Sequence, residues 1–240
     1  HASFTLSTET LERCADACAR TKLGLHVHVA EDAADQANSL ATHGVRVIER
    51  LRRAGVLNER ALLAHCVHLD AAEIEAVRAA GATVAHNPRS NMNNAVGYAP
   101  VGSLASQMVL GTDGIGADLF EEARAAFVRG REAGAVASPV EIAAMVSRSS
   151  AVASRSFGMP LGRIEPGAAA DLAVLDYDPP TPLDADNLAG HLVFGMSVRH
   201  VRDVIIAGEA RLRDRRVLSV DEPALLARAR ETARSLWQRI

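Results

Sequence analysis

Four apolar segments of this chain end in residues able to bind a metal or move a proton. His28 and Glu31 close LGLHVHVAED, His65 and His68 close ALLAHCVHL, His86 and Asn87 close ATVAHNP, and Asp113 follows SQMVLG. Imidazole and carboxylate are ligands that zinc accepts, and a carboxylate beside a metal-activated water can take up and return protons. His26 and His28, two apart on a strand, share a face and could grip a metal together. A half-buried strand whose histidines are satisfied by hydrogen bonds accounts for that pair equally well. Recurrence at four successive segment ends favours chemistry over packing. In HNPRSNMNN, Asn and Ser side chains either bond a ligand or build turns, and Asn93 and Asn94 read as turn residues. Arg89 suits bidentate pairing with a substrate carboxylate, or equally a solvated or interdomain position. His68 reads as a supporting or structural residue.

Parallel strands would bring these ends to one edge. Ser7 or Thr8 can cap a helix running to about Thr21. LGLHVHVA reads as a strand, followed by a long amphipathic helix from about Asp35 to Arg53 that Gly55 ends. ALLAHCVHL is a second strand, DAAEIEAVRAAG a helix closed by Gly81, ATVAHNP a third strand and SQMVLGTDG a fourth. Two helices then cover roughly Leu119 to Ala133 and Pro139 to Phe157. Short apolar strands alternating with amphipathic helices predict parallel βα units, whose sites lie at the C-terminal strand ends. From Gly158 turn residues multiply, at Pro160, Gly162 and Pro166-Gly167, ahead of β-rich runs at Asp171 to Asp176 and in SVRHVRDVIIAGEARLRDRRVL, with a turn at Ala207-Gly208. A helix from about Asp221 to Ile240 closes the chain.

The 240 residues are 48% hydrophobic, enough for a substantial core, and a formal net charge of -3 with both signs dispersed supplies no basic field for nucleic acid. A small-molecule partner is expected. No run is long and apolar enough to span a bilayer, and the three cysteines, Cys14, Cys18 and Cys66, form no disulfide framework, which points to the cytoplasm.

HVAED, AHCVHLD, HNPRSNMNNAVG and LGTDG, in that order, resemble the amidohydrolase superfamily, specifically its deaminase and chlorohydrolase branch with the methylthioadenosine, guanine and SsnA-type aminohydrolases. LGRIEPGAAADLAVLD and VRDVIIAGEARLRD resemble the stretch where that branch returns from its barrel to a small β-sandwich. The resemblance implies an α/β fold: the C-terminal half of a (β/α)8 barrel in residues 1–157, part of a composite sandwich in 158–220, and a closing helix in 221–240. It implies one divalent metal ion, zinc in the first place with iron as the alternative, bound by His28 and Asp113. Glu31 then shuttles a proton to a ring nitrogen of the substrate, His65 orients the attacking water and stabilises developing charge, and Asp113 also accepts the water's proton. His1 resembles a histidine that faces substrate. Asn87, Arg89, Ser90 and Asn91 complete the expected substrate contacts, and His26 is left a structural role. The implied reaction is hydrolysis of an amino- or halogen-substituted nitrogen heterocycle, typically deamination.

The family's HxH pair on the first barrel strand has no counterpart before His28. Only four barrel strands precede the β-rich tail, whereas a closed barrel needs eight. The expectation is therefore a catalytically weak chain, restored by an N-terminal half or covered by pairing into homo-oligomers. Two competing readings are a catalytically incomplete fragment or pseudoenzyme, and a cyclic amidase.

Overall fold

The computed structural model describes residues 1–136 and 138–239. Its first half is built on four parallel strands in the order β1 (His26–Val29), β2 (Leu62–His65), β3 (Thr83–His86), β4 (Met108–Leu110). Each strand begins the expected unit, so all four C-terminal ends lie on one edge. β2, β3 and β4 are buried almost throughout, as expected of parallel strands covered on both faces, whereas β1 alternates. In β1, Val27 and Val29 enter the core while His26 and His28 face the other way, His26 exposed and His28 half-buried.

The helices on this sheet are set by their caps. Ser7 accepts from the Thr10 amide and starts α1 (Thr8–Thr21). Asp32 accepts from Ala34 to start α2 (Ala33–His43), which Gly44 stops by adopting φ 67°. The long helix expected from Asp35 to Arg53 is therefore two, because α3 (Val47–Arg53) starts afresh. Glycine is the residue that takes a left-handed φ without steric cost, so an amphipathic pattern that continues past it does not keep the helix whole. A reciprocal box between Asp70 and Glu73 opens α4 (Ala71–Ala80). The polar loop expected after β3 is instead a short helix, α5 (Pro88–Asn93), because Pro88 sits at the first helical turn where its missing N–H costs nothing. α6 (Val101–Leu104) leads into β4, Asp118 caps α7 (Leu119–Glu132), and α8 (Pro139–Phe157) packs on β4. Leu51, Leu63, Val84, Met108, Ile142 and Met145 lie fully or almost fully buried in the core between helices and sheet.

A second, antiparallel sheet follows, β5 (Leu172–Leu175), β6 (Val201–Ile206), β7 (Glu209–Arg213) and β8 (Arg216–Val217), paired in that order. Ala207 and Gly208 both take positive φ and close the two-residue hairpin between β6 and β7. The connection between β5 and β6 contains a short helical stretch, in which α9 (Leu188–Gly190) runs into a π-helical turn at His191–Gly195. Arg124 of α7 donates to the carbonyls of Val193 and Met196, and Phe127 meets Phe194 edge-on, which ties this stretch to the first half. α10 (Glu222–Trp237) ends the described chain; Ile240, placed in that helix from sequence, lies outside the described residues. No helix among the described residues is long and apolar enough to cross a membrane.

Candidate active site

The strand ends leave ordinary backbone geometry where the polar residues sit. Ala30, His65, Cys66 and Asp113 all adopt left-handed φ, between 46° and 71°. Such conformations cost free energy for non-glycine residues and persist where surrounding structure enforces them. The result is a convergence from three different units. One ligand atom from each of Glu31, His65 and Asp113 lies within 4.8 Å of the others. His65 Nε2 stands 3.6 Å from Glu31 Oε2 and 3.6 Å from Asp113 Oδ2. The His28 ring stacks on that of His65 with centroids 5.1 Å apart.

α5 holds these groups in place. Ser90 donates to Asp113 Oδ2 at 2.6 Å, and the Gly114 amide donates to Asp113 Oδ1 at 2.6 Å. These bonds, the Ser90 hydroxyl first, hold the Asp113 carboxyl below the usual carboxylate range, so it is ionised at neutral pH. His65, fully buried, has Nδ1 2.8 Å from Asn91 Oδ1. A carboxamide oxygen only accepts, so Nδ1 carries the ring proton and Nε2 faces the two carboxylates. Burial and, next, the neighbouring His65 push the His28 imidazole below its ordinary pKa, which keeps its lone pair free. Asn87 is buried, with its amide nitrogen 3.4 Å from the His65 ring. A Cβ at Gly111, just after β4, would sit 2.2 Å from Asn87 Oδ1, so a larger residue there would force the buried Asn87 amide to shift.

Arg89 does not join this group. Its guanidinium pairs with Glu122 Oε2 at 2.5 Å and Glu121 Oε2 at 2.8 Å and donates to the Gly116 carbonyl. The expected substrate-carboxylate contact is therefore replaced by an internal one, because α7 brings a fully buried Glu122 beside it. Arg89→Ala is expected to cost about 3 kcal/mol by leaving that carboxylate buried without its charge partner, read as a lower urea midpoint at unchanged slope. His1 is exposed; its backbone carbonyl accepts from the His28 amide and its ring meets Thr5. His68 Nε2 lies 2.8 Å from the Val96 carbonyl, a structural position. Asn94, read as a turn residue, in fact donates to Glu31 Oε1 at 3.0 Å.

His86 lies behind His65, almost fully buried, with no hydrogen-bond partner for either ring nitrogen among the described residues. Burial first, then His65, push its pKa down to about 4. The unfolded ring titrates near 6.5, so between about 6.5 and about 4 the unfolded chain binds a proton that the native chain refuses. Stability should therefore drop by on the order of 3 kcal/mol as the pH is lowered from about 6.5 to about 4. Urea unfolding at several pH values, native against His86→Leu, checks this: the variant should show the shallower decline.

The His65 imidazole and the Glu31 and Asp113 carboxylates, with the His28 ring stacked beside them, form a donor set that suits a divalent cation such as zinc. Parallel βα units that carry such a set at the C-terminal strand edge have the arrangement in which (β/α) enzymes build their active sites. The family model described as "Amidohydrolase family" matches residues 1–211, and the chain belongs to that family. It is 36% identical over 246 residues to a 5-methylthioadenosine/S-adenosylhomocysteine deaminase of Haloarcula marismortui, and 34% identical over 249 residues to one of Pelotomaculum thermopropionicum. Each comparison takes in all of this chain and 57% of the relative, so the chain spans little more than half the length of these relatives. Among solved structures it is similar to an adenosine deaminase from Xanthomonas campestris with bound zinc, at 29% identity and a TM-score of 0.88 over 99% of this chain and 56% of that one. An atrazine chlorohydrolase from Arthrobacter aurescens TC1 complexed with zinc, at 24% identity and a TM-score of 0.76 over 92% of this chain and 51% of that one, shares the fold.

Proposed function

We propose that the protein hydrolyses an amino- or halogen-substituted nitrogen heterocycle, with deamination of an aminopurine nucleoside as the first reaction to test. The observation that supports this best is the convergence of Glu31, His65 and Asp113 within 4.8 Å at one strand edge. In this reading residues 1–157 supply the catalytic unit, 158–220 belong to a supporting β-rich domain, and 221–240 form a terminal helix. His28 and Asp113 would hold a zinc ion, whose chemistry is to lower the pKa of a water so that it attacks at neutral pH.

Everything else falls to the chain's own side chains. Asp113, ionised, takes the water's proton. His65 Nε2 accepts a hydrogen bond from that water and then takes the proton from Asp113, whose Oδ2 stands 3.6 Å away, so that the same atom donates to developing negative charge. Glu31 delivers a proton to the ring nitrogen as oxygen adds to the adjacent carbon. The proton first taken from the water passes to the amino group, which leaves as ammonia (chloride leaves a halogenated ring without it), and the new hydroxyl returns a proton to Glu31 as the oxo-heterocycle forms. Asn91 keeps the His65 tautomer that this sequence needs. The test is release of ammonia and chloride by zinc-loaded full-length protein from a panel of aminopurine nucleosides, pterins and chlorotriazines. Turnover of one class is expected; a fully metallated protein that turns over none of them would defeat the proposal.

A further inference from the structure

We infer that Asn94 is a positioning residue for Glu31, with Asn93 fixing the orientation of its amide, an inference that rests on the reading of Glu31 as the proton shuttle. Asn94 caps the C-terminal end of α5, and its Nδ2 donates to Glu31 Oε1 at 3.0 Å. Asn93 Nδ2 in turn donates to Asn94 Oδ1 at 3.0 Å. With its oxygen occupied by a donor, the Asn94 amide must present its NH2 to the carboxylate, so the two asparagines act in series.

Glu31 has need of such a partner. It sits on a bend after β1 with its side chain partly exposed, and a glutamate has three rotatable bonds to order. Asn94 makes the single hydrogen bond to its carboxylate seen among the described residues, since His65 Nε2, at 3.6 Å, lies beyond hydrogen-bond reach. The bond engages Oε1 and leaves Oε2 as the oxygen facing His65. A proton in transit is thereby directed to Oε2, on the side where Asp113 also lies. The same short helix carries Ser90 to Asp113 and Asn91 to His65, so α5 orients one group from each of three strand ends.

Asn94→Leu keeps the volume and removes the donor. In zinc-loaded full-length protein kcat should fall about tenfold while KM and zinc content stay within about twofold, because an interaction that serves only the reacting state has been lost. Asn93→Ala should lower kcat by about threefold, having lost only the orienting bond. In a Glu31→Asp background, where the shortened carboxylate no longer reaches Asn94, the same Asn94→Leu change should cost less than about twofold. Crystal structures give a reading independent of turnover: in Asn94→Leu the Glu31 carboxylate should leave its position while His65 and Asp113 keep theirs. Glu31 unmoved in that variant, an unchanged kcat, or an equal loss in both backgrounds would overturn the inference. Absence of turnover by the native protein would defeat the proposed function instead, and the crystal comparison would still decide the positioning role.

Discussion

Asp113→Ala is expected to abolish zinc retention and turnover together. The carboxylate stands 3.6 Å from His65 Nε2, and two strong hydrogen bonds hold it ionised and aimed. It has two duties in the proposed mechanism, ligand and base, so its removal is not compensated by either neighbour. Removing a residue that merely orients a ligand weakens metal binding by roughly 10–100-fold, and loss of a ligand should exceed that. His28→Ala should release the ion as well, because in the proposed site it is one of two ligands and its loss leaves too few strong donors. His65→Ala, by contrast, should keep zinc and lose turnover. Metal analysis of the three purified variants after dialysis checks the set. Full zinc occupancy in Asp113→Ala or His28→Ala would refute their roles as ligands, and zinc loss in His65→Ala would make His65 a ligand.

Glu31→Gln should lower kcat by about 10²–10⁴-fold, the range that a positioned general acid or base contributes, with zinc content and KM little changed. Glutamine keeps the shape and the contact with Asn94, since its carbonyl oxygen still accepts from Asn94 Nδ2. What it lacks is the ability to take up a proton and deliver it to the ring nitrogen. A second expected signature is insensitivity to the leaving group: the deficit should appear for amino and chloro substrates alike, because both need that ring nitrogen protonated as oxygen adds. Steady-state kinetics on one substrate of each kind settle this, and a variant as active as the native protein would remove Glu31 from the mechanism.

The parallel sheet could be read from the sequence because strands buried on both faces are continuous apolar runs, and LLAH, TVAH and MVL each stop where polar residues begin. What escaped was helical structure with a weak signature. PRSNMN contains poor helix formers, and the one signal it offers is Pro88 at the first turn, which places Ser90 and Asn94 four apart on one helix face. That spacing would have turned Asn94 from a turn residue into a partner of the site. The partner of Arg89 was not legible at all, because Glu122 lies 33 residues away and only packing of α7 brings it near. The helical turns between α9 and Gly195 follow no period long enough to detect. Gly44 shows the opposite error, a pattern that ran on while the backbone turned.

The bonds that tie α5 to the strand ends also set an order of assembly. Glu31 and Asn94 are 63 residues apart, His65 and Asn91 26, and Ser90 and Asp113 23. No pair of these forms within a single βα unit, so each must wait for neighbouring strands to dock and for the entropy of long loops to be overcome. The donors in this chain are therefore expected to converge late in folding, after the sheet has set its register. A zinc ion at this site is accordingly expected to be captured by a scaffold already built, unlike the ion of small zinc-stapled domains, which folds the chain around itself.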